Sequence, residues 1–378
     1  MNILFSVLSV VSTFLIVSTV LSYFRYMKKV PIFLKNEELA LDITYPPLSI
    51  IIPARNEEKT IEQVVKHLVS QDYPKLEVIV VNDRSTDRTG MVLDSIKGQY
   101  HQLKVITITE LPPNWLGKNH AVYQGAKEST GEWLLFTDAD VMFSSKSLKK
   151  TVSYALDNTL DHLAVLTDIF DGSIFYRAFL TYFAFAFIAF IAATKKAGSG
   201  GFNLIKSSVY TEIGGYEAIA MQVVDDVSLG GLVVDKGFKQ GLGVSGRDFI
   251  TVKWYNSIYD AIKGFEKNQF ASINYSVATV VGLCPLMLLM HVYPFVGVFF
   301  GPIWARTLCG ISILSLFTVY SYLAKYLNIS SSYILFHPIS ALLHIIAVLN
   351  SMFKTLRKGG VEWRGKLYAI KELKKHTV

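Results

Sequence analysis

The sequence predicts an α/β domain built on a parallel sheet, tied to a membrane by an N-terminal anchor and followed by a C-terminal block of transmembrane helices. Three observations predict it. Short β-branched apolar runs alternate with helical stretches from Pro47 onward, the pattern of strands buried on both faces and joined by crossover helices. Residues 2–22 carry no charge. Residues 275–305, 307–324 and 326–353 are free of Asp, Glu, Lys and Arg, and roughly 20 apolar residues suffice to cross a bilayer.

The first apolar run is followed at once by Arg25, Lys28 and Lys29. A cleaved signal peptide would carry its basic residues ahead of the run. The reverse order predicts an uncleaved anchor, residues 1–24, whose C-terminal end faces the cytoplasm. One large cytoplasmic domain at the cell membrane is then expected over 45–273, with membrane segments over 274–353. Of a net charge of +7, Lys354, Arg357, Lys358, Arg364, Lys366, Lys371, Lys374 and Lys375 crowd the last part of the chain. They are expected to form a solvated tail, 354–378, that suits anionic headgroups. A nucleic-acid partner is not expected. Three full spans after the domain would put this tail outside, against the charge rule. Either one later segment is partial or interfacial, or the rule fails; 333–353, with His337-Pro338, His344 and Asn350, is the least lipid-like. Cys284 and Cys309 are the only cysteines, so a disulfide framework and a cysteine zinc site are excluded.

Within the domain, Leu48–Ile52 reads as a strand ending at Pro53. A helix is expected from Asn56 to Gln71, with Asn56 as cap, Glu57 and Glu58 in its first turn, and Ile61, Val64, Val65 and Leu68 as its apolar face. Leu76–Val81 is a second strand, and Ser85 and Thr86 open another helical stretch. Leu103–Ile108 and Trp133–Phe136 are further strands. In such folds ligands bind beyond the carboxyl ends of the strands. Three polar clusters fall there: Pro53–Glu57, Asn82–Asp87 and Asp138–Asp140.

In the last cluster Asp138 and Asp140 sit two residues apart at a strand end. Residues i and i+2 of an extended chain point the same way, and hard cations accept one or two carboxylates plus substrate phosphates. The pair suits Mg2+ or Mn2+ held against a diphosphate. Asp83 and Asp87, in Asn82-Asp83-Arg-Ser-Thr-Asp87, read either as an N-cap cluster or as base and ribose recognition. No Walker A loop and no G-x-G-x-x-G follows a strand, so neither P-loop ATP nor NAD is expected.

Taken in order, Ile-Ile-Pro53-Ala54-Arg55-Asn56-Glu57-Glu58, Asn82-Asp83-Arg-Ser-Thr-Asp87 and Asp138-Ala-Asp140 resemble the family 2 glycosyltransferases of GT-A, Rossmann-like fold. Gly198-Ser-Gly200-Gly201-Phe-Asn-Leu-Ile-Lys206 with Ile213-Gly214-Gly215-Tyr216 is similar to that family's acceptor-side loop. Val224-Asp225-Asp226-Val-Ser-Leu229 resembles its Glu-Asp base motif, with Asp225 in place of Glu. Trp115-Leu-Gly117-Lys118-Asn-His120-Ala and Val361-Glu-Trp363-Arg364-Gly365-Lys366-Leu-Tyr368 look like membrane-bound members that glycosylate lipids, among them apocarotenoid (diaponeurosporenoate), hopanoid-associated and ceramide glucosyltransferases. The Gln-x-x-Arg-Trp motif of polymer synthases is absent; Lys253-Trp254-Tyr255 stands nearest to it.

The resemblance implies an inverting, metal-dependent transfer of a single sugar from a UDP- or GDP-sugar to a membrane lipid. It implies a donor site of Pro53, Ala54, Arg55, Glu57, Asp83, Asp87, Lys118 and Asp138, and a cation on Asp140 and Asp138. Asp226 would be the base, with Asp225 beside it, and Gly200, Gly201 and Trp254 would lie on the acceptor side. Two other functions compete with this one. Transfer to polyprenyl phosphate needs no base, and a degenerate membrane scaffold needs none of these carboxylates.

Residues 174–193 hold eight aromatic side chains and are long enough to span. They lie between Asp140 and Asp226, and a single crossing would put the two half-sites on opposite sides of the membrane. An interfacial helix is therefore expected, its aromatics at headgroup level.

Overall fold

The computed structural model describes residues 2–35 and 44–375. In chain order the first elements are α1 (Asn2–Met27), β1 (Ile32–Phe33), β2 (Leu48–Ala54), α2 (Ile61–Val69), β3 (Leu76–Asp83), α3 (Thr89–Ile96), β4 (Leu103–Ile108), α4 (Gly117–Lys127) and β5 (Trp133–Phe136). Then come β6 (Val141–Phe143), α5 (Ser147–Asp157), β7 (His162–Leu166), α6 (Ile174–Thr194), β8 (Asn203–Lys206), α7 (Ser207–Glu212), α8 (Gly215–Ala218), α9 (Asp225–Asp235), β9 (Gln240–Ser245) and β10 (Ile250–Val252). The last third is α10 (Ile258–Phe265), α11 (Gln269–Ser272), α12 (Val277–His291), α13 (Tyr293–Gly297), α14 (Ile303–Ala324), a 3-10 turn (Ser331–Phe336), α15 (His337–Lys358), β11 (Gly360–Trp363), β12 (Lys366–Ala369) and α16 (Ile370–Lys375). Two compact units result. A sheet unit takes Val30–Asp168, Lys196–Lys253 and Lys371–Val378, and a helical unit takes Met1–Lys29, Ile169–Lys195 and Trp254–Ile370.

Among the described residues the main sheet of the sheet unit has eight strands in the order β1-β9-β7-β8-β5-β2-β3-β4, and β6 pairs separately with β10. Parallel pairing holds for β2 with β3 and β5, β3 with β4, β7 with β9, and β1 with β9. The sheet is mainly parallel, as expected, with one antiparallel member: β8 runs against both β5 and β7. Its four residues follow a helical excursion rather than a crossover, so the parallel rule does not bind it. Alternation within β2 sorts the core. Ile50 and Ile52 face Val78, Val80, Leu135 and the apolar side of α2, Ile61, Val64, Val65 and Leu68. Ile51 faces Leu134, Phe136, Ile205, Val122 and Leu229 on the opposite side. All are fully or almost fully buried, each contributing roughly 1.5–3 kcal/mol relative to exposure.

Strand ends differ from the sequence expectation in an informative way. β2 runs through Pro53 to Ala54, because its pairing with β5 stops at Ile51. Pro53 therefore needs no N–H on that side, and on the other it still registers with Val81. α2 begins at Ile61 with Thr60 as cap, not at Asn56. Asn56 is left-handed, φ 58°, and its Oδ1 accepts from the Thr86 N–H at 2.8 Å. It clips the end of β2 to the turn after β3. That turn also delays α3 to Thr89, since Asp87 Oδ1 takes the Thr89 N–H at 2.9 Å.

In the helical unit α1 and α14 run side by side in the same direction. Thr13 meets Ser312 at 2.9 Å and the ring of Phe24 meets that of Tyr322 at 5.6 Å. α12 runs against them, with Ser12 Oγ donating to Leu289 O at 2.8 Å. Small hydroxyl residues at such crossings are the usual glue between membrane helices. Among the described residues, five helical stretches are long and apolar enough to cross a membrane: Ile3–Met27, Ile174–Thr194, Val277–Gly297, Ile303–Ala324 and Ser331–Lys358.

Both ends of α6 sit at one end of the α1–α14 pair. Arg177 near its start donates to Asn328 O at 3.3 Å, just past α14. Lys195 at its finish lies over the Tyr26 ring at 4.9 Å, at the end of α1. The last turns of α15 pack on the segment that precedes α12, with Asn350 Nδ2 donating to Glu266 Oε1 at 3.0 Å and Ser351 Oγ to Glu266 O at 2.6 Å. The stretch beyond Phe353 is structured, with α15 continuing to Lys358 and a hairpin following, and its basic side chains Lys354, Arg357, Lys358, Arg364, Lys366, Lys371 and Lys374 are exposed.

Candidate active site

The carboxyl ends of β2 and β5, the 198–203 loop and the start of α9 meet in one cleft. It is lined by Pro53, Lys118, Phe136, Thr137, Asp138, Ser199, Gly200, Asn203, Tyr216, Asp225 and Asp226. Each acidic residue arrives by a different local route. Asp138 follows the last residues of β5, and its N–H donates to Gly200 O at 3.0 Å, while Thr137 Oγ1 donates to Gly201 O at 2.8 Å. The strand end is thereby clipped to the loop. Asp225 and Asp226 form the first turn of α9, where the helix dipole favours negative charge.

Two glycines bring these pieces close. A Cβ on Gly198 would stand 2.1 Å from the Asp226 carbonyl oxygen, and one on Gly200 would stand 2.7 Å from Asp138 Oδ2. Neither position admits a side chain without displacing an acid of the cleft.

Lys118 is the pivot. It lies in the first turn of α4, which is fixed to the chain ahead of α9 by the Leu116 N–H on Ala220 O, 3.0 Å, and by Asn119 Nδ2 on Ile219 O and Gln222 O, both 2.9 Å. Its Nζ is 3.0 Å from Asp138 Oδ1 and 3.3 Å from Asp225 Oδ2. Tyr216 Oη donates to the same Asp225 oxygen at 3.0 Å. Asp225, only 5% exposed, thus has one oxygen shared by Lys118 and Tyr216. Asp226 is half-buried, and its Oδ1 accepts from the Val227 N–H at 2.9 Å.

The charges are unequal. Burial opposes the Lys118 ammonium, but Asp138, Asp225 and Asp226 outweigh it and hold the group well above the ordinary lysine range. Burial first, then Asp225, raises the Asp226 carboxyl, while Lys118 and the Val227 N–H pull it back. A carboxylate raised toward neutrality in a cleft is what general-base chemistry uses. Asp140 is exposed, yet desolvation by the surrounding chain and the negative charges of Asp138 and Glu57 raise it too. A carboxylate raised by burial and by a neighbouring negative charge is relieved by a cation. Among the described residues no three His, Cys, Asp or Glu side chains gather into a closed cage; a pair of carboxylates with open positions fits a hard cation completed by phosphate oxygens.

The remaining sequence expectations divide. Pro53 lines the cleft and Ala54 is buried beside it at the end of β2. Asp83 is buried and held by its neighbour Arg84, Nε to Oδ1 2.7 Å and Nη2 to Oδ2 3.0 Å, with Arg55 Nη1 at 3.9 Å. Asp87 spends its oxygens on Thr89 and the Glu58 N–H. The Glu57 N–H goes to Thr89 Oγ1 at 2.8 Å. These last bonds shape the loop. Trp254 belongs to the helical unit, where its ring meets Phe183 at 5.4 Å and Phe265 at 5.3 Å. Sequence reasoning passed over Asn203 and did not single out Tyr216 for a role, although both stand inside quoted motif segments. Their buried polar side chains become legible only with their partners.

Known proteins agree with this architecture. The profile of glycosyl transferase family 2 matches residues 49–226. The chain is 25% identical over 346 residues to the 4,4'-diaponeurosporenoate glycosyltransferase of Staphylococcus aureus strain USA300, an alignment covering 87% of this chain and 90% of that one. Among solved structures, a mannosyltransferase from Pyrobaculum calidifontis in complex with GDP-Man and Mn2+ matches with a TM-score of 0.56 at 19% identity, over 93% of this chain and 99% of that one. The fold is of GT-A type.

Proposed function

We propose that this chain, which carries a family 2 glycosyltransferase domain over residues 49–226, moves a single sugar from a nucleotide-diphosphate sugar to a membrane lipid with inversion at the anomeric carbon. The observation that carries the proposal is Lys118 in contact with both Asp138 and Asp225, which brings the donor-side acids and the acids of α9 into one cleft. The curated relative is named for an apocarotenoid acid, which supports a lipid acceptor.

In this reading Asp138 and Asp140 would hold Mg2+ or Mn2+, which would supply neutralisation of charge on the departing diphosphate. Lys118, between Asp138 and Asp225, would orient the diphosphate. Asp226 takes the proton of the acceptor hydroxyl as its oxygen bonds to the anomeric carbon. The bond from that carbon to the phosphate oxygen breaks, and the nucleoside diphosphate leaves with the electron pair. Asp225, bonded to Lys118 and Tyr216 through one oxygen, holds both in place. The test is turnover of Asp226→Asn and Asp225→Asn in full-length protein with UDP-glucose and GDP-mannose as donor probes.

We place the catalytic domain on the cytoplasmic side, with α1, α12–α13 and α14 crossing the membrane. α6 stays on the cytoplasmic face. It connects β7 to β8, which pair directly through Leu163 and Leu204. At about 1.5 Å per residue it could cross about 30 Å of hydrocarbon. The residues from Lys195 to Phe202 would then have to return through lipid as non-helical backbone, which lipid cannot satisfy. α15 ends beside Glu266, ahead of α12, so the basic C-terminal hairpin is also cytoplasmic and the charge rule holds.

A further inference from the structure

The geometry points to His162 as a positioning residue that holds Asp226 in place through Asn203. This rests on Asp226 as the base of the proposed transfer and adds the group that aims it.

Three linked residues from the starts of three neighbouring strands lie against the first two turns of α9, two of them bonded to it. His162 opens β7, Asn203 opens β8 and Gln240 opens β9. His162 is 0% and Asn203 1% exposed. The His162 Nε2–H donates to Asn203 Oδ1, and Asn203 Nδ2 donates to the Asp226 carbonyl oxygen at 3.3 Å. On the other side of the ring, Gln240 Nε2 donates to His162 Nδ1 at 3.0 Å and to Gly230 O, one turn further along α9, at 2.9 Å. Gln240 Oε1 in turn accepts the Ala197 N–H at 2.6 Å, which fixes the chain just before Gly198, the residue pressed against the Asp226 carbonyl.

This arrangement admits one tautomer of a neutral ring: Nδ1 accepts from an amide, and Nε2 carries the hydrogen. A second proton would set an N–H of the ring against the Gln240 N–H. The Asn203 and Gln240 amides reach α9 and the loop at Ala197, and the His162 ring bridges the two amides, so the set does more than fill a core. It fixes the backbone of the residue whose carboxylate must meet an acceptor oxygen. Displacing a reacting group by about 1 Å costs on the order of a hundredfold in rate, without changing how the donor is held.

The test compares His162→Phe, which removes both ring nitrogens, with His162→Gln, whose amide N–H can stand where Nε2–H stood. We expect His162→Phe to lower kcat by about tenfold or more, with the donor KM and binding of UDP or GDP changed by less than about twofold. His162→Gln should regain most of the loss. A folded His162→Phe with wild-type kcat overturns the inference, as does a loss that follows the folded fraction and that His162→Gln does not restore. If His162→Phe does not fold, Asn203→Asp keeps the acceptor for His162 and replaces the donor to Asp226. Lower kcat at an unchanged melting temperature supports the inference, and unchanged kcat overturns it. Asp226→Asn is measured alongside. Full turnover there removes the base reading and this inference together, whereas an inactive Asp226→Asn beside an unaffected His162→Phe removes this inference alone.

Discussion

The ammonium of Lys118 lies 3.3 Å from the Asp225 carboxylate, and this pair separates the two acids of the Asp225-Asp226 motif. Asp225 is buried and engaged by Lys118 and Tyr216 through one oxygen. Asp226, held by one backbone N–H, keeps an oxygen for chemistry.

Asp226→Asn should therefore lower kcat by about a hundredfold to ten-thousandfold, the usual worth of general-base help, with donor affinity little changed. Asp225→Asn should instead loosen Lys118 and raise the donor KM, with a smaller effect on kcat. Steady-state kinetics of both variants decides between them, and the reverse pattern would shift the base by one residue.

Asp140→Ala should abolish turnover with the fold intact, as read by circular dichroism, and chelation should silence the wild type. Near-normal activity in excess chelator would remove the metal from the reading.

Acid should unfold the sheet unit through His162. Burial drives its ring down to about 4, against the ordinary value near 6.5, with the bond to Asn203 only partly opposing. The unfolded chain binds the extra proton first, so stability is complete above about pH 6.5 and falls as pH drops toward 4. The loss should reach about 3 kcal/mol. Melting temperatures between pH 7.5 and 4.5 check it: the slope should flatten in His162→Gln.

Cysteines at Ser173 and Ser199, in a background lacking Cys284 and Cys309, should both be labelled from the cytoplasmic side only, and one at Gly365 should join them. Labelling of Ser173 and Ser199 from opposite sides would end both the interfacial helix and the shared cleft. Labelling of Gly365 from outside would make α15 a full span.

Much of this was legible in the sequence because apolar runs and acids carry strong local signals. The strands Leu103–Ile108 and Trp133–Phe136 fall where the pattern put them. Lys118, Asp138, Asp225 and Asp226 meet as the motif order implied. What stayed hidden depends on partners distant in sequence. β9 alternates Gly241 and Gly243 with larger residues, a weak strand signal, because Leu160 and Phe33 occupy the space where side chains would stand. The start of α2 was misread because Asn56 is recruited by Thr86, thirty positions on. The grip on α9 was invisible because His162, Asn203 and Gln240 form no linear motif.

β7 and β8 are neighbours in the sheet, and α6 is the chain's detour between them. Topologically it is an oversized hairpin loop. The chain leaves the sheet after β7, builds α6 into the helical unit and comes back to pair β8 with the strand it left. Substitutions confined to α6 are therefore expected to act on the helical unit first, with the β7–β8 register unchanged.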